Sequence, residues 1–282
     1  MSIRPTEINS SKKLYALLGS PVQHSLSPLI HNTSFEILGL DSVYHAFDVH
    51  DLGQVLRDLK VRCIQGFNVT VPYKESVMPY LDELSNEVKL IGAVNTVVEK
   101  DGKWIGYNTD AKGFSRTLRP YKNTVANQNI LLLGAGGSAR AVLYALLIDY
   151  EPKKIFIFNR TKERALNMIE EFKTLRPEVQ LFFISLSSIA GLDIKLAVNA
   201  SSLGMKPDEC LLGAEFFRQG MIAYDLIYNP ASTLFLRHAR ASGAIGINGL
   251  DMLIEQAAAA FEIWTGQAMP VDEVRKKLAQ KS

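Results

Sequence analysis

Apolar and polar positions alternate along the chain in two patterns, and each pattern predicts one kind of element. Up to residue 118, short apolar runs predict strands, and segments with apolar positions three or four apart predict helices. The predicted strands are 13–19, 42–49, 64–71, 93–100 and 103–108, and the predicted helices are 28–39, 51–61, 74–90, which is interrupted at Pro79, and 111–118. Asp101-Gly102 is a typical hairpin turn between the last two strands. The pattern therefore predicts a mostly parallel α/β domain with one antiparallel hairpin.

A second series of elements begins after the polar segment 120–128. The predicted strands are 129–134, 154–159, 179–185, 195–200, 221–228 and 244–249, with helices at 138–149 and 161–174. Nearly continuous apolar strands are typical of a parallel sheet covered on both faces, so we expect a Rossmann-type doubly wound domain. The last helix, 249–266, is rich in alanine and is expected to pack against the first domain. The predicted domains are 1–112, with C-terminal helices in 250–282 packed back onto it, and 113–249.

Composition and charge exclude several classes of protein. The chain is 47% hydrophobic and 21% charged, with a net charge of +2, which is typical of a soluble globular protein and gives no reason to expect nucleic-acid binding. The chain contains no apolar stretch of 18 residues, so the sequence predicts no membrane span. Residues 1–13 lack the apolar core of a signal peptide. Cys63 and Cys210 are far apart, and the five histidines show no metal-ligand spacing, so no metal site is expected. These features favour a cytoplasmic protein with reduced cysteines.

The segment GAGGSA at 134–139 directly follows a predicted strand and opens a predicted helix. Gly134 allows the tight turn, Gly136 lets backbone N–H groups approach a pyrophosphate, and Ala139 permits close packing of the helix. The helix N-terminus then faces the negative charge of the ligand. In this context the segment predicts dinucleotide binding, although a glycine turn by itself is often only a turn.

The end of the next strand bears on the choice of cofactor. An NAD enzyme usually carries a carboxylate there, which binds the ribose 2′-hydroxyl. This chain has Asn159, Arg160 and Thr161 instead, which offer donors and a cation to a 2′-phosphate. The residues therefore predict NADP(H), and the alternative is that Asn159 or Thr161 only caps the next helix.

Lys74 and Asp110 each follow a predicted strand, at the sheet edge where open α/β sheets bind ligands. Pro72 ends the strand before Lys74, which we expect in the first turn of the helix 74–90, where the helix dipole disfavours a cation. Lys74 is then either a proton carrier or a solvated lysine beside Glu75. Asp110 is either a catalytic carboxylate or the N-cap of its helix, and one residue can serve both purposes.

Several other polar residues have a structural and a functional interpretation. Ser27 precedes Pro28 and has the pattern of an N-cap, whereas Ser25 lacks such a role and is freer to bind a ligand. Asn95 is an amide in a buried strand and needs backbone or ligand partners. Met252 and Gln256 are four residues apart and share a helix face, where the glutamine is either a satisfied core residue or a ligand contact.

Taken together, the motifs resemble one family, the shikimate dehydrogenases. The resemblance runs from residue 19 to residue 257, and its motifs are SLSP (25–28), NVTVPYK (68–74), GAVNT (92–96), NTD (108–110), GAGGSARA (134–141), NRT (159–161), NxSxLGM (199–205), DLIYNP (225–230) and NGLDMLIEQA (248–257). Ser201 stands where the family often has Thr, and Tyr73 where it often has His or Phe. The family catalyses the NADP-linked interconversion of shikimate and 3-dehydroshikimate in aromatic amino-acid synthesis.

The resemblance also implies roles for individual residues. It implies that Lys74 and Asp110 form the catalytic pair, that the first domain binds shikimate or 3-dehydroshikimate, and that the second binds NADP(H). The implied substrate contacts are Ser25, Ser27, Thr70, Asn95, Tyr228 and Gln256. The implied cofactor contacts are Gly134, Ala135, Gly136, Gly137, Ser138, Ala139, Asn159, Arg160, Thr161, Ser201, Gly249 and Met252.

Two alternative functions remain open from the sequence. A quinate/shikimate dehydrogenase shares the catalytic pair but often has an acidic residue soon after the arginine, where this chain has Thr161-Lys162. A catalytically silent regulator on the same scaffold would be expected to have lost Lys74 or Asp110. No macromolecular partner is indicated, and both a monomer and a homodimer are compatible with the sequence.

Overall fold

The computed structural model describes residues 12–206 and 208–280. The expectation that residues 1–13 contain no signal peptide therefore falls mostly outside the described residues. The chain divides into two compact units. Unit 1 comprises the chain up to Thr109 and from Ala257 onward, and unit 2 comprises Asp110–Gln256. Within 12–206 and 208–280, no helix is both long and apolar enough to cross a membrane.

Unit 1 is built on a six-stranded mixed sheet in the order β2-β1-β3-β5-β6-β4. Its strands are β1 (Lys13–Gly19), β2 (Ser42–Asp48), β3 (Gly66–Val69), β4 (Glu83–Leu84), β5 (Thr96–Lys100) and β6 (Lys103–Tyr107). Only β5 runs against its neighbours. Asp101 and Gly102 both have positive φ, as a two-residue hairpin turn requires. The expected mostly parallel sheet with one hairpin is confirmed.

The helices of unit 1 cover this sheet with apolar side chains. In the part of unit 1 up to Thr109 they are α1 (Ser27–Ile37), α2 (Leu52–Val61) and α3 (Asn86–Ile91). The core between the sheet and α2 includes Leu18, Leu56 and Phe67, all at least nine-tenths buried. A second, aromatic cluster surrounds the buried His31 and contains Tyr44, Phe261 and Trp264.

Unit 2 contains a parallel six-stranded sheet in the order β12-β11-β10-β7-β8-β9. Its strands are β7 (Asn129–Leu133), β8 (Lys154–Phe158), β9 (Gln180–Phe183), β10 (Leu196–Asn199), β11 (Ile222–Asp225) and β12 (Ile245–Ile247). Its helices are α4 (Asp110–Leu118), α5 (Lys122–Val125), α6 (Gly137–Asp149), α7 (Lys162–Phe172) and α8 (Leu234–Ala241). The sheet is buried, and the order reverses beside β7, so the expected doubly wound fold is confirmed.

The end of the chain forms α9 (Leu250–Thr265) and α10 (Val271–Ala279). The division between the units falls within α9, whose residues up to Gln256 belong to unit 2. The predicted boundaries assign all of α9 to the first domain, whereas the structure assigns its first turns and the whole of α4 to unit 2.

The segment 74–90, predicted as a helix interrupted at Pro79, is α-helical only in its last part, α3. Residues 74–77 form turns, Met78–Tyr80 a short 3₁₀ helix, and Glu83–Leu84 a strand, before α3 begins. Pro79 cannot donate the backbone hydrogen bond that a continuous helix needs at that position. Ser85 then caps α3 by accepting a hydrogen bond from the amide of Val88, and Gly92 ends it with positive φ.

Candidate active site

The loops after β1 and β3 lie side by side at the carboxyl edge of the unit 1 sheet, where the strand order reverses. The amide of Ser20 donates to the carbonyl of Val71 at 2.9 Å, and the amide of Thr70 donates to Leu18 at 2.8 Å. A Cβ added at Gly19 would lie 2.2 Å from Cγ2 of Thr70, so only glycine allows this approach. The loop with Ser25 and the loop with Thr70 and Lys74 therefore border one ligand-binding edge.

Ser25 and Ser27 interact with each other. The Ser25 hydroxyl donates to Oγ of Ser27 at 3.2 Å and accepts a hydrogen bond from the Ser27 amide at 3.2 Å. Ser27 is the first residue of α1, and the N-cap is Leu26. The expectation that Ser27 caps the helix and that Ser25 has no structural role is wrong, because Ser25 satisfies an amide of the first turn.

Lys74 lies in a hydrogen-bonded turn and not in a helix, so the expected effect of a helix dipole on it has no basis. The amide of Val77 donates to Tyr73 at 3.0 Å, and the hydroxyl of Tyr73 donates to the carbonyl of Val49 at 2.7 Å. The carbonyl of Lys74 accepts a hydrogen bond from the amide of Val94 at 2.8 Å. The half-buried lysine is thereby fixed through its backbone next to the segment that leads into β5.

The buried side-chain amide of Asn95 is hydrogen-bonded within unit 1. Its Oδ1 accepts the amide of Thr109 at 2.7 Å, and its Nδ2 donates to Oγ1 of Thr109 at 2.9 Å. Thr96 donates to Oδ1 of Asn95 at 3.0 Å, and Asn68 donates to the Asn95 carbonyl at 3.0 Å. Asn95 therefore has backbone and side-chain partners within unit 1, whatever it binds in addition.

The same buried network extends to α1 through a tyrosine. The Tyr44 hydroxyl donates to Oδ1 of Asn68 at 2.7 Å, and the Tyr44 amide donates to Oδ1 of Asn32, in α1, at 2.9 Å. Burial raises the pKa of Tyr44 well above its ordinary value. The sequence analysis missed Tyr44, Asn68 and Thr109 as parts of the site. The available signal was the presence of polar side chains inside strands that otherwise read as buried.

Asp110 begins α4 and is 6% exposed. It lies in the first helical turn, which favours a carboxylate, and not at the N-cap position that the sequence suggested. Asp110 directly follows Thr109 in the chain, and Thr109 is bonded to Asn95 in unit 1. Contacts of unit 1 therefore fix the backbone that leads into Asp110.

The glycine turn of unit 2 has the geometry of a phosphate site. Gly134 has a φ of +118°, and a Cβ there would lie 2.9 Å from the carbonyl oxygen of Ala200. A Cβ at Gly136 would meet nothing within 4 Å. Gly136 is the N-cap of α6 and supplies no side-chain cap, so a ligand phosphate can approach the amides of the first turn. The predicted segment 134–139, including Ala135, Gly137, Ser138 and Ala139, surrounds this helix start.

Exposed cations follow β8 at the expected position. Arg160 and Thr161 are exposed, and Thr161 is the N-cap of α7 without forming a side-chain cap. Asn159 donates from Nδ2 to the carbonyl of Thr161 at 2.8 Å and so shapes this turn. Lys162 and Arg164, which the sequence analysis did not select, add exposed positive charge in the first turn of α7. The set fits a phosphate on the ribose of a dinucleotide.

The residues after β10 and β11 form another buried polar network. Ser201 donates to Oδ1 of Asn199 at 2.7 Å, and Nδ2 of Asn199 donates to Oδ1 of Asp225 at 3.0 Å. Thr233 donates to Oδ2 of Asp225 at 2.6 Å. Burial raises the pKa of Asp225 to about 6. Of these residues only Ser201 was predicted, although Asn199 and Asp225 lie in motifs that the sequence analysis recognised.

The remaining predicted residues lie around the start of α9. A Cβ at Gly249 would lie 2.0 Å from the carbonyl oxygen of Leu226, in the loop that carries the half-buried Tyr228. Met252 and Gln256 are both buried, and Gln256 donates to the carbonyl of Leu253 at 2.9 Å. A Cβ at Gly113 would lie 2.9 Å from Gln256, which shows that α4 and α9 approach closely within unit 2.

No group of three or more histidine, cysteine, aspartate or glutamate side chains within 12–206 and 208–280 could hold a metal ion. Unit 1 has a set of polar groups at the edge of a mixed sheet, and unit 2 has a glycine turn of the dinucleotide-binding type and a cationic strand end. These features define the chain as an α/β protein of the class of nicotinamide dinucleotide-dependent dehydrogenases.

Comparison with known proteins narrows this class to one family. Residues 17–97 match the shikimate dehydrogenase substrate binding domain, 118–203 match shikimate / quinate 5-dehydrogenase, and 249–279 match the shikimate 5′-dehydrogenase C-terminal domain. A shikimate dehydrogenase (NADP(+)) of Caldanaerobacter subterraneus is 42% identical, over 96% of this chain and 98% of the relative.

Two solved structures are similar over nearly the whole chain. Shikimate 5-dehydrogenase from Thermus thermophilus, in complex with NADP(H) and shikimate, is 37% identical with a TM-score of 0.83, over 96% of this chain and 100% of that chain. Quinate dehydrogenase from Corynebacterium glutamicum, in complex with NAD, is 28% identical with a TM-score of 0.86, over 95% and 99%. The chain belongs to the NADP-dependent shikimate dehydrogenase family, as its motifs led us to expect.

Proposed function

We propose that the protein catalyses the reversible reduction of 3-dehydroshikimate to shikimate with NADP(H). The observation that carries the proposal is the polar edge of unit 1. There, the loop of Lys74 and the segment that leads into Asp110 are both bonded to the strand entry at Val94 and Asn95. The reaction also requires a binding site for the dinucleotide, and the glycine turn of unit 2 has the geometry of such a site.

The polar groups of unit 1 suit a small substrate that carries one carboxylate and several hydroxyls. Ser25, Ser27, Thr70 and Asn95 are proposed to bind it, together with Tyr228 and Gln256 of unit 2. Several of these groups are buried, and a site with buried donors and acceptors rejects analogues that leave them unpaired. The hydrogen bond between Ser25 and Ser27 restricts the rotamers of both serines before a substrate binds, and the bond from Thr109 does the same for Asn95.

Lys74 and Asp110 are proposed to carry the proton chemistry. When bound, NADP(H) supplies or accepts the hydride. Reduction of the 3-keto group creates negative charge on its oxygen, and the Lys74 ammonium stabilises this charge and donates the proton. Asp110 orients the lysine and balances its charge. In the direction of oxidation, the neutral amine of Lys74 accepts the hydroxyl proton.

The residues of unit 2 fit NADP(H). Gly136 leaves space for a pyrophosphate at the start of α6, and Arg160 and Thr161 face solvent with donors that a 2′-phosphate can accept from. Residues 159–162 contain no carboxylate that would bind a 2′-hydroxyl or repel the phosphate. The cofactor agrees with the name of the Caldanaerobacter relative and with the ligands named for the Thermus structure. Ser201, Gly249 and Met252 are proposed to lie near the nicotinamide.

A quinate/shikimate dehydrogenase is the second candidate, because the Corynebacterium quinate dehydrogenase is at least as similar in fold as the Thermus enzyme. Its lower identity of 28% and its complex with NAD set it apart from the relatives named for NADP. The basic residues after β8 also favour NADP(H). We further propose that the enzyme works in the cytoplasm as a monomer or homodimer and needs no macromolecular partner.

The test is an assay of the purified protein with shikimate or quinate, each with NADP⁺ or NAD⁺, followed by absorbance of the reduced nicotinamide. We expect strong turnover only with shikimate and NADP⁺. Comparable turnover with quinate or NAD⁺ would favour the second candidate. Absence of turnover with all four pairs, from protein that still binds NADPH, would contradict a catalytic function.

A further inference from the structure

Asp225 is a buried carboxylate that the proposed mechanism does not use. It ends β11, is 0% exposed, and stands opposite Asn199, which ends β10. Its Oδ1 accepts from Nδ2 of Asn199 at 3.0 Å and from the amide of Ile227 at 3.1 Å, and its Oδ2 accepts from Thr233 at 2.6 Å. Every hydrogen bond described for the carboxylate is thus one that it accepts.

These three donors belong to three different segments at the carboxyl edge of the unit 2 sheet. Asn199 holds Ser201 through its Oδ1 and the carbonyl of Leu203 through its Nδ2. Ile227 lies in the loop before Tyr228, and its carbonyl accepts a hydrogen bond from the amide of Gly249 at 3.1 Å. Thr233 caps α8 by accepting a hydrogen bond from the amide of Leu236 at 3.3 Å.

The segments held in this way belong to the second half of the doubly wound sheet. The first half carries the glycine turn and Arg160, which suit the adenosine half of a dinucleotide. In this fold the second half binds the other mononucleotide, which is the nicotinamide in NADP(H). The Ser201 and Tyr228 loops are the two strand-end loops of this second half that Asp225 joins.

We propose that Asp225 is a positioning residue, whose ionised carboxylate holds the Ser201 and Tyr228 loops in the arrangement that binds the nicotinamide half of the cofactor. It acts through Asn199 and the Ile227 amide and does not itself touch cofactor or substrate. The inference rests on the proposed function, because it assumes a nicotinamide dinucleotide as the ligand of unit 2.

The groups around Asp225 allow its protonation near neutral pH. Burial has the largest effect on its pKa and raises it, the three hydrogen bonds lower it in part, and the resulting pKa is about 6. The charged residues of α8 are engaged elsewhere: Arg237 with Ser232 and Asp208, Arg240 with Ser232 and Gly246, and His238 with the carbonyl of Leu212. The half-buried Cys210 thiol donates to the carbonyl of Leu212, and its pKa is raised by burial and by the charge of Asp225.

Protonation would change the hydrogen bonds that hold the loops. A neutral carboxyl group has one O–H donor and fewer acceptor positions, whereas all three of its partners are donors in this structure. Thr233 would then have to accept from Asp225, and its own hydroxyl proton would lose its acceptor. An asparagine at 225 imitates this neutral state, because it has the same shape and one acceptor oxygen.

The experiment compares kcat/KM for NADP⁺ of the full-length wild type and Asp225→Asn from pH 5 to pH 8. Effects of Lys74 and of the cofactor phosphate are common to both proteins and cancel in the ratio. We expect the ratio of wild type to variant to be about 10–100 at pH 8, as is typical of misplaced binding groups. It should fall towards 1 below pH 6, where the wild type becomes protonated. A ratio near 1 at pH 8, or a large ratio that does not change with pH, would overturn the proposal.

A second pair of variants covers the case in which Asp225→Asn does not fold. Thr233→Val removes a donor to the carboxylate, so the acid limb of the pH profile should move to higher pH. Thr233→Ser keeps the hydroxyl and should leave the limb where it is in the wild type. A loss of stability without movement of the limb in Thr233→Val would show that the network is only structural. Because wild-type turnover with shikimate and NADP⁺ is measured first, failure of the proposed function is recognised separately.

Discussion

At the scale of single residues, the position of Lys74 depends on its backbone. Its carbonyl is bonded to Val94, and its loop is tied to the end of β2 through the hydroxyl of Tyr73. The reactivity of the side chain follows from the residue type, since an ammonium can both neutralise an alkoxide and donate a proton. The position of the side chain follows from the fold of the loop.

We predict that Lys74→Ala lowers kcat for shikimate oxidation by about 10²–10⁴-fold, the usual effect of removing a group that transfers a proton. NADPH binding should change little, because the residues proposed to bind NADPH belong to unit 2. Steady-state kinetics and a fluorescence titration with NADPH measure the two quantities. Lys89→Ala, at an exposed lysine of α3 in the same unit, is the matched control. A kcat for Lys74→Ala equal to that of the control would contradict the role.

The sequence identified the types of residue at the site better than their partners. Lys74 and Asp110 stand out locally because each is polar just after a predicted strand, and Asn95 stands out because it is an amide within one. The bonds from Asn95 to Asn68 and Thr109 depend on the pairing of β3 with β5 and on the hairpin of β5 and β6. That register is a property of the assembled sheet, so the network could not be read from the sequence.

At the scale of elements, strands with strong apolar runs were predicted well and chain segments with competing signals were not. The predicted strand 13–19 coincides with β1, whereas the predicted helix 74–90 is replaced by turns, a 3₁₀ helix, a short strand and α3. Apolar spacing favoured a helix there, but Pro79 and the cap at Ser85 divide the segment. The helices α8 and α10 were expected only in general terms, between the last two strands and among the C-terminal helices of 250–282, and the sequence did not predict their bounds.

The start of α6 provides a test of an element whose geometry serves a ligand and not the fold. We predict that Gly136→Ala keeps the stability of the wild type, because its φ of −97° is ordinary and a Cβ meets nothing within 4 Å. The methyl group would occupy the space that a pyrophosphate needs, so NADPH binding should weaken about tenfold or more, equivalent to at least about 1.4 kcal/mol. Thermal unfolding and NADPH titration give the two measurements.

Gly134→Ala is the contrasting variant for this prediction. Its φ of +118° is unfavourable for alanine, and its Cβ would lie 2.9 Å from the Ala200 carbonyl oxygen. It should therefore lose stability as well as NADPH affinity. If Gly136→Ala binds NADPH as tightly as the wild type, the pyrophosphate does not bind at the start of α6.

At the scale of the whole molecule, the two units have different buried titratable groups. Asp225 in unit 2 has its pKa raised to about 6, so its contribution to stability is greatest at low pH and is lost as pH rises through 6. His31 in unit 1 is 0% exposed, stacks on Tyr44, and has no hydrogen-bond partner for either ring nitrogen among the described residues. Burial lowers its pKa to about 3.

The depressed pKa of His31 predicts that acid destabilises unit 1. The unfolded chain binds a proton at a pKa near 6.5, and the folded chain binds it only near 3. The contribution of His31 is therefore complete above pH 6.5 and is lost as pH falls from 6.5 towards 3, by about 1.4 kcal/mol for each pH unit within that window. Because the carboxylates elsewhere also titrate in this range, only a comparison with a variant isolates the effect.

His31→Phe removes the titration and retains an aromatic ring beside Tyr44, which makes it the suitable variant. Chemical unfolding of both proteins between pH 4 and pH 7 gives the difference in the free energy of unfolding at each pH. We expect this difference to shift in favour of the variant by about 1.4 kcal/mol per pH unit below pH 6, while Asp225 contributes equally to both proteins. His24→Asn, at an exposed histidine, should run parallel to the wild type. A difference that stays constant with pH would mean that His31 binds a proton as readily in the folded protein as in the unfolded chain. The buried ring would then need a partner for its charge.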